Sequence, residues 1–178
     1  MRNQEKVVLV DHSDNYVGTM GKLEAHKKGL LHRAFSLFIF NHRGELLLQQ
    51  RAKHKYHSGG LWTNTCCSHP RPNESPEEAA HRRLYEEMGF DCPLEFSFSF
   101  IYESELDNQL IEHEFDHVFI GRYDDKPDIN PDEVMNWKYV DLKSINNDLM
   151  LHPHYYTVWF RIALQKSKHY FPQDVVIP

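Results

Sequence analysis

The chain has 178 residues, 40% hydrophobic and 26% charged, a balance that fits a soluble globular protein and excludes a disordered one. Its formal net charge of −6 argues against nucleic-acid binding by the surface at large. Three cysteines make no disulfide framework, no apolar run approaches the ~18 residues of a membrane span, and the N-terminus lacks a signal-peptide core. The expectation is one domain over residues 1–178, monomeric and cytoplasmic.

In chain order, Val7 to Val10 reads as a short strand, Asp11 to Asn15 as a turn, and Tyr16 to Met20 as the return. Residues 21–33 are polar and basic. Phe35 to Phe40 is apolar on both faces, which predicts a central strand. Asn41-His42-Arg43-Gly44 is a hairpin turn ahead of a returning strand, Glu45 to Gln50. A long basic loop, Arg51 to Gly60, follows. Ser75, Pro76 and Glu78 then supply an N-cap, a first-turn proline and a capping box. Ala80, Leu84 and Met88 give that helix one apolar face, and Gly89 suits its left-handed end. Phe96, Phe98 and Phe100 alternate with serines in a half-buried strand. From Ile111 to Gly121, Glu112, Glu114 and Asp116 take one face and Ile111, Phe115 and Phe119 the other. Val134 to Val140 is a further strand, Asp141 a helix cap, and a last helix starts near Tyr155. Mixed strands with two or three helices make a single α/β sandwich.

The stretch from Glu74 to Arg82-Arg83-Leu84-Tyr85-Glu86-Glu87-Met88-Gly89-Phe90 resembles the Nudix box. Two positions depart from it: Ser68 stands for the leading glycine and Arg83 for the first glutamate of Arg-Glu. In the hydrolases of that family this glutamate helps bind the metal that activates water, so Arg83 speaks against diphosphate hydrolysis. With Trp62-Thr63-Asn64 and Cys67-Ser68-His69-Pro70, the pattern is similar to one branch, the type I isopentenyl-diphosphate delta-isomerases, over about residues 5–165. The resemblance implies an α/β/α sandwich with a mixed sheet. It also implies conversion of isopentenyl to dimethylallyl diphosphate by a metal-dependent allylic proton shift.

Thirteen histidines are many for this length, and singly each reads as a surface residue. The resemblance instead places His26, His32, His69, Glu112 and Glu114 at a metal, and this donor set suits Mn²⁺, Mg²⁺ or Zn²⁺. Glu87 resembles the ligand of a second cation, Mg²⁺, which arrives with the substrate diphosphate. Lys22, Arg51, Lys55 and Arg83 would meet that diphosphate. Cys67 matches the catalytic cysteine, with nearby charge expected to favour its thiolate. Glu114 with Tyr102 would face it across the substrate, and Trp159 would stabilise a carbocation. No dinucleotide-type glycine motif is present, so no flavin is expected. A Nudix hydrolase of a nucleoside or other diphosphate and a catalytically silent, metal-stabilised binding domain are the alternatives.

Overall fold

The computed structural model describes residues 5–172. Its described strands are β1 (Lys6–Val10), β2 (Tyr16–Gly21), β3 (His32–Phe40), β4 (Leu46–Arg51), β5 (Trp62–Thr63), β6 (Cys66–Ser68), β7 (Leu94–Glu105), β8 (Ile111–Arg122) and β9 (Val134–Val140). The helices are α1 (Lys22–Lys28), α2 (Pro76–Met88), α3 (Leu142–Leu151) and α4 (Val158–Ser167). All nine strands belong to one mixed sheet, in which β3 lies parallel to β8 and antiparallel to β1, β4 and β6.

β3 is central because both of its faces are apolar. Phe38 and Phe40 pack with Ile145 of α3 and Phe160, Ala163 and Leu164 of α4. Phe35, Leu37 and Ile39 pack with Ala79, Ala80, Leu84 and Met88 of α2 on the other side. The sheet is thus enclosed by α2 on one face and by α3 and α4 on the other, the sandwich expected from the sequence.

α2 begins as its sequence dictates. The Ser75 hydroxyl accepts from the Glu78 amide at 3.1 Å, and the Glu78 carboxylate accepts from the Ser75 amide at 2.8 Å. Gly89 ends the helix at φ 73°, and a Cβ there would lie 2.1 Å from the Asp128 carbonyl oxygen. Asp141 caps α3 as expected. The last helix starts at Val158, capped by Thr157, because Pro153–Tyr155 form a separate 3-10 turn.

Three features differ from the sequence expectation. Residues 22–28, expected only to be polar and basic, form α1, which closes on Gly29 at φ 61°. Turn 41–44 forms, yet β3 and β4 pair only through Phe40 and Leu46; β4 then runs against β9 while β3 takes β6 and β8. In β7 a register shift between Phe96 and Phe98 breaks the alternation. Phe96 is left 59% exposed, while Phe98 and Phe100 join Tyr102 against the α3–α4 core.

Candidate active site

Strand register assembles the site. The parallel β3–β8 pair sets His32 opposite Glu114, and the β7–β8 pair sets Tyr102 opposite the same glutamate. β6 lies along β3 through Ser68–Phe35 and Cys67–Ser36, which carries His69 to this end of the sheet. α1, entered directly from β2, supplies His26 from its buried face.

Backbone carbonyls dictate how the imidazoles face. His26 Nδ1 lies 2.7 Å from the Lys22 carbonyl and His32 Nδ1 2.7 Å from the Leu30 carbonyl. A carbonyl only accepts, so each Nδ1 carries a proton, and in the neutral ring Nε2 is the atom left to bind a cation. The Nε2 atoms of His32 and His69 are 3.3 Å apart, and His69 Nε2 is 2.8 Å from Glu114 Oε1. His26 Nε2 is buried with no hydrogen-bond partner. Ligand atoms of His26, His32, His69 and Glu114 all lie within 4.8 Å of one another, and all four residues are buried. Converging acceptors, one of them orphaned, fit a divalent cation.

Glu112 and Glu114 share one phenol: Tyr102 Oη donates to Glu112 Oε2 at 3.0 Å and to Glu114 Oε2 at 2.7 Å. Burial and the neighbouring Glu114 charge push the Glu112 carboxyl well up. Burial would raise Glu114 too, but hydrogen bonds and charge from His32 and His69 reverse this and hold it well below the usual range. Burial lowers His69 to about 3, against the pull of Glu114, and lowers His26, with His32 adding to the effect. Burial thus favours the neutral form of His26 and His69, the form that binds a metal.

Cys67, His69, Glu112, Glu114 and Trp159 line one cavity, together with Glu87 and the four basic residues Lys22, Arg51, Lys55 and Arg83. Tyr102 stands behind the two glutamates as their donor, and His26 and His32 form the buried back of the cage. Trp159 Nε1 donates to Cys67 Sγ at 3.0 Å, and the Arg51 guanidinium lies over the Trp159 ring at 5.1 Å. The thiolate expected at Cys67 meets an opposing force. Burial pushes this thiol well up, and Arg51 only partly offsets it.

Lys22, Lys55 and Arg83 are all ion-paired within the protein. Lys22 pairs with Glu5 at 3.1 Å, and Lys55 pairs with Glu133. Arg83 meets Glu86 at 2.8 Å, Glu87 at 2.5 Å and Glu133 at 3.4 Å. Glu87 is buried, its second oxygen accepting from Gln49 Nε2 at 2.8 Å. Sequence reasoning passed over Gln49, His57 and Glu133. Only His57, in the basic loop before Trp62, carried any signal, as one histidine among thirteen.

This sheet, packed by a capped helix that carries Glu86 and Glu87 and has Glu74 just before its cap, defines a class. The family model for the NUDIX domain matches residues 30–161. Solved structures agree in fold: a protein from Deinococcus radiodurans has a TM-score of 0.70 at 20% identity, covering 83% of this chain and 90% of its own. A MutT protein from Methanosarcina mazei has a TM-score of 0.63 at 20% identity, covering 76% and 91%.

Among curated sequences, the chain is 59% identical over 157 residues to isopentenyl-diphosphate Delta-isomerase 2 of Photorhabdus laumondii, covering 88% of this chain and 89% of that one. It is 53% identical over 163 residues to isopentenyl-diphosphate Delta-isomerase 2 of Aromatoleum aromaticum, covering 92% and 86%. The chain belongs to the Nudix family and, within it, to the isopentenyl-diphosphate Delta-isomerases.

Proposed function

We propose that this chain converts isopentenyl diphosphate to dimethylallyl diphosphate by moving a proton across the allyl unit. The reading rests on relatives of that name at up to 59% identity. The observation that carries the mechanism is that a thiol, Cys67, and a carboxylate, Glu114, line the same cavity as four basic side chains. The reaction adds a proton at the terminal methylene, passes through a tertiary cation and removes a proton from carbon two. It needs an acid and a base at opposite faces of the alkene and no attacking water.

In this mechanism Glu114 and the Tyr102 hydroxyl form one proton relay, since the phenol donates to Glu114 at 2.7 Å. Cys67 is the other exchanger. The indole N–H of Trp159 fixes its sulfur and favours the charge that builds there once a proton leaves. The Trp159 ring, which already faces the Arg51 guanidinium, is also the surface for the developing carbocation. Lys22, Arg51, Lys55 and Arg83 bind the diphosphate, and for Lys22, Lys55 and Arg83 this means exchanging a protein carboxylate for a phosphate oxygen.

His26, His32, His69, Glu112 and Glu114 would hold a divalent ion, Mn²⁺, Mg²⁺ or Zn²⁺, and Glu87 would hold the Mg²⁺ that comes with the diphosphate. Such an ion supplies charge that lets both buried glutamates ionise and keeps Glu114 oriented. The chain would act as a monomeric, single-domain cytoplasmic enzyme without flavin, in keeping with the three free cysteines at 66, 67 and 92. Hydrolysis is disfavoured because Arg83 replaces the carboxylate that a metal-bound water requires.

Proton NMR of isopentenyl diphosphate with protein and Mg²⁺ in D₂O tests the reading. Dimethylallyl diphosphate carrying deuterium, with its diphosphate intact, is the expected product. Inorganic phosphate or pyrophosphate as the main product would overturn it.

A further inference from the structure

One imidazole outside the five discussed also reaches the cage. His57 is 6% exposed, and its ring centroid lies 6.1 Å from that of His26. A ligand atom of His57, one of His26 and one of Glu112 lie within 4.8 Å of one another, all in buried residues. The three come from a loop, a helix and a strand, so their convergence is tertiary rather than a matter of spacing.

The loop is shaped to hold His57 inward. Ser58 takes the left-handed conformation at φ 50° although it carries a side chain, a strain that the rest of the fold must sustain. Gly59 has no room for a Cβ, which would lie 2.4 Å from the Lys53 carbonyl oxygen. Tyr56 stands edge-on to the His57 ring at 4.4 Å and Trp159 at 5.6 Å. A ring clamped on two sides and turned to a second imidazole and a carboxylate has lost the entropy that a ligand must lose.

We infer that His57 is a further metal ligand, forming with His26 and Glu112 a three-residue site that favours Zn²⁺ over Mg²⁺. The inference rests on the cation cage proposed above. His26 donates through Nδ1 to the Lys22 carbonyl, which leaves it only Nε2. The His57 set and the set of His26, His32, His69 and Glu114 therefore share one nitrogen, so one ion is held at a time, by one set or the other. Two imidazoles and a carboxylate with open positions make a ligand set that zinc accepts. Magnesium prefers oxygen ligands and gains little from an added imidazole.

The test uses the full chain stripped of metal, with Zn²⁺ affinity measured by competition with a chromogenic chelator. His57→Gln should weaken Zn²⁺ binding by at least the ~10-fold that even an outer-shell partner contributes. Mg²⁺ affinity and a one-to-one stoichiometry should be retained. His57→Cys supplies a positive readout that does not depend on loss. Its Co²⁺ complex should show a thiolate-to-cobalt charge-transfer band lacking in the unaltered chain. Unchanged Zn²⁺ affinity in His57→Gln, or no such band in His57→Cys, overturns the inference. His32→Gln separates this failure from that of the cage. If it loses Zn²⁺ while His57→Gln does not, the cage stands without His57; if neither loses Zn²⁺, both readings fall.

Discussion

The two sides of the cavity solve opposite electrostatic problems. On the His/Glu side, potential metal ligands converge: backbone carbonyls at Nδ1 turn the Nε2 atoms of His26 and His32 inward, and Glu112 and Glu114 share one tyrosine hydroxyl. On the basic side, Lys22, Lys55 and Arg83 are already matched by Glu5, Glu133, Glu86 and Glu87. A divalent ion would complete the first side, whereas the proposed diphosphate would have to displace the carboxylates already paired on the second. A buried acceptor without a donor costs the full desolvation of that group, whereas exchanging one anion for another costs little. The His/Glu side should therefore depend steeply on its ligand and the basic side only gradually.

Metal removal gives the largest break in that comparison. A chelator should abolish turnover, with Mg²⁺ or Mn²⁺ restoring it, and full activity in protein verified as metal-free would contradict the cage. Next in size is loss of either proton exchanger. Cys67→Ala leaves the cage intact, Glu114→Gln alters it, and each should slow isomerisation by at least ~10²-fold. Neither should create phosphate release, as a coupled phosphate assay would detect.

Glu87→Gln probes the border between the two sides. It should impair use of the diphosphate-bound Mg²⁺, seen as a raised Mg²⁺ requirement in kinetics. Metal retained by the His/Glu cage, measured by elemental analysis, should not change. Loss of that tightly held metal would show that Glu87 belongs to the cage instead.

The smallest effect lies at the outer basic side. Burial raises the Glu5 carboxyl, but Lys22 more than reverses this and takes it to about 2. A depressed carboxyl pKa contributes stability that is full above about pH 4.5 and lost as pH falls toward 2. The Glu5 side chain is 48% exposed, so solvent limits the contribution to about 1 kcal/mol or less. Glu5→Gln should lower the melting temperature slightly at pH 6 and not at all near pH 2. A difference that grows on acidification would reverse the assignment.

How much of this was legible depended on how local its cause is. The capping box at Ser75 and Glu78 and the stop at Gly89 follow rules that span a few residues, and α2 formed with the expected ends. α1 has seven residues, too few for a helical period to stand out, and it is held by burying Ala25 and His26. The shift in β7 reassigns Phe96 through pairing with β8, which no alternation within β7 reveals. Arg83 was readable as a departure from the Nudix box. That Glu133 also meets it at 3.4 Å was not, because the two are 50 positions apart.

The motif helix, the central apolar strand and the family could all be read from the chain alone, since each is written in residue type and short spacing. Through resemblance the chain also nominated His26, His32, His69, Glu112 and Glu114 as ligands, of which the structure brings His26, His32, His69 and Glu114 together in one group. How those residues are poised is a matter of packing between distant segments. The tautomers of His26 and His32 depend on two particular carbonyls, and the state of Glu114 depends on His32 and His69, which a parallel strand pair and a short antiparallel one bring beside it. Proton positions and ion pairing follow from burial and from distances of a few ångströms between residues far apart in the chain. Those quantities exist only once the sheet has closed.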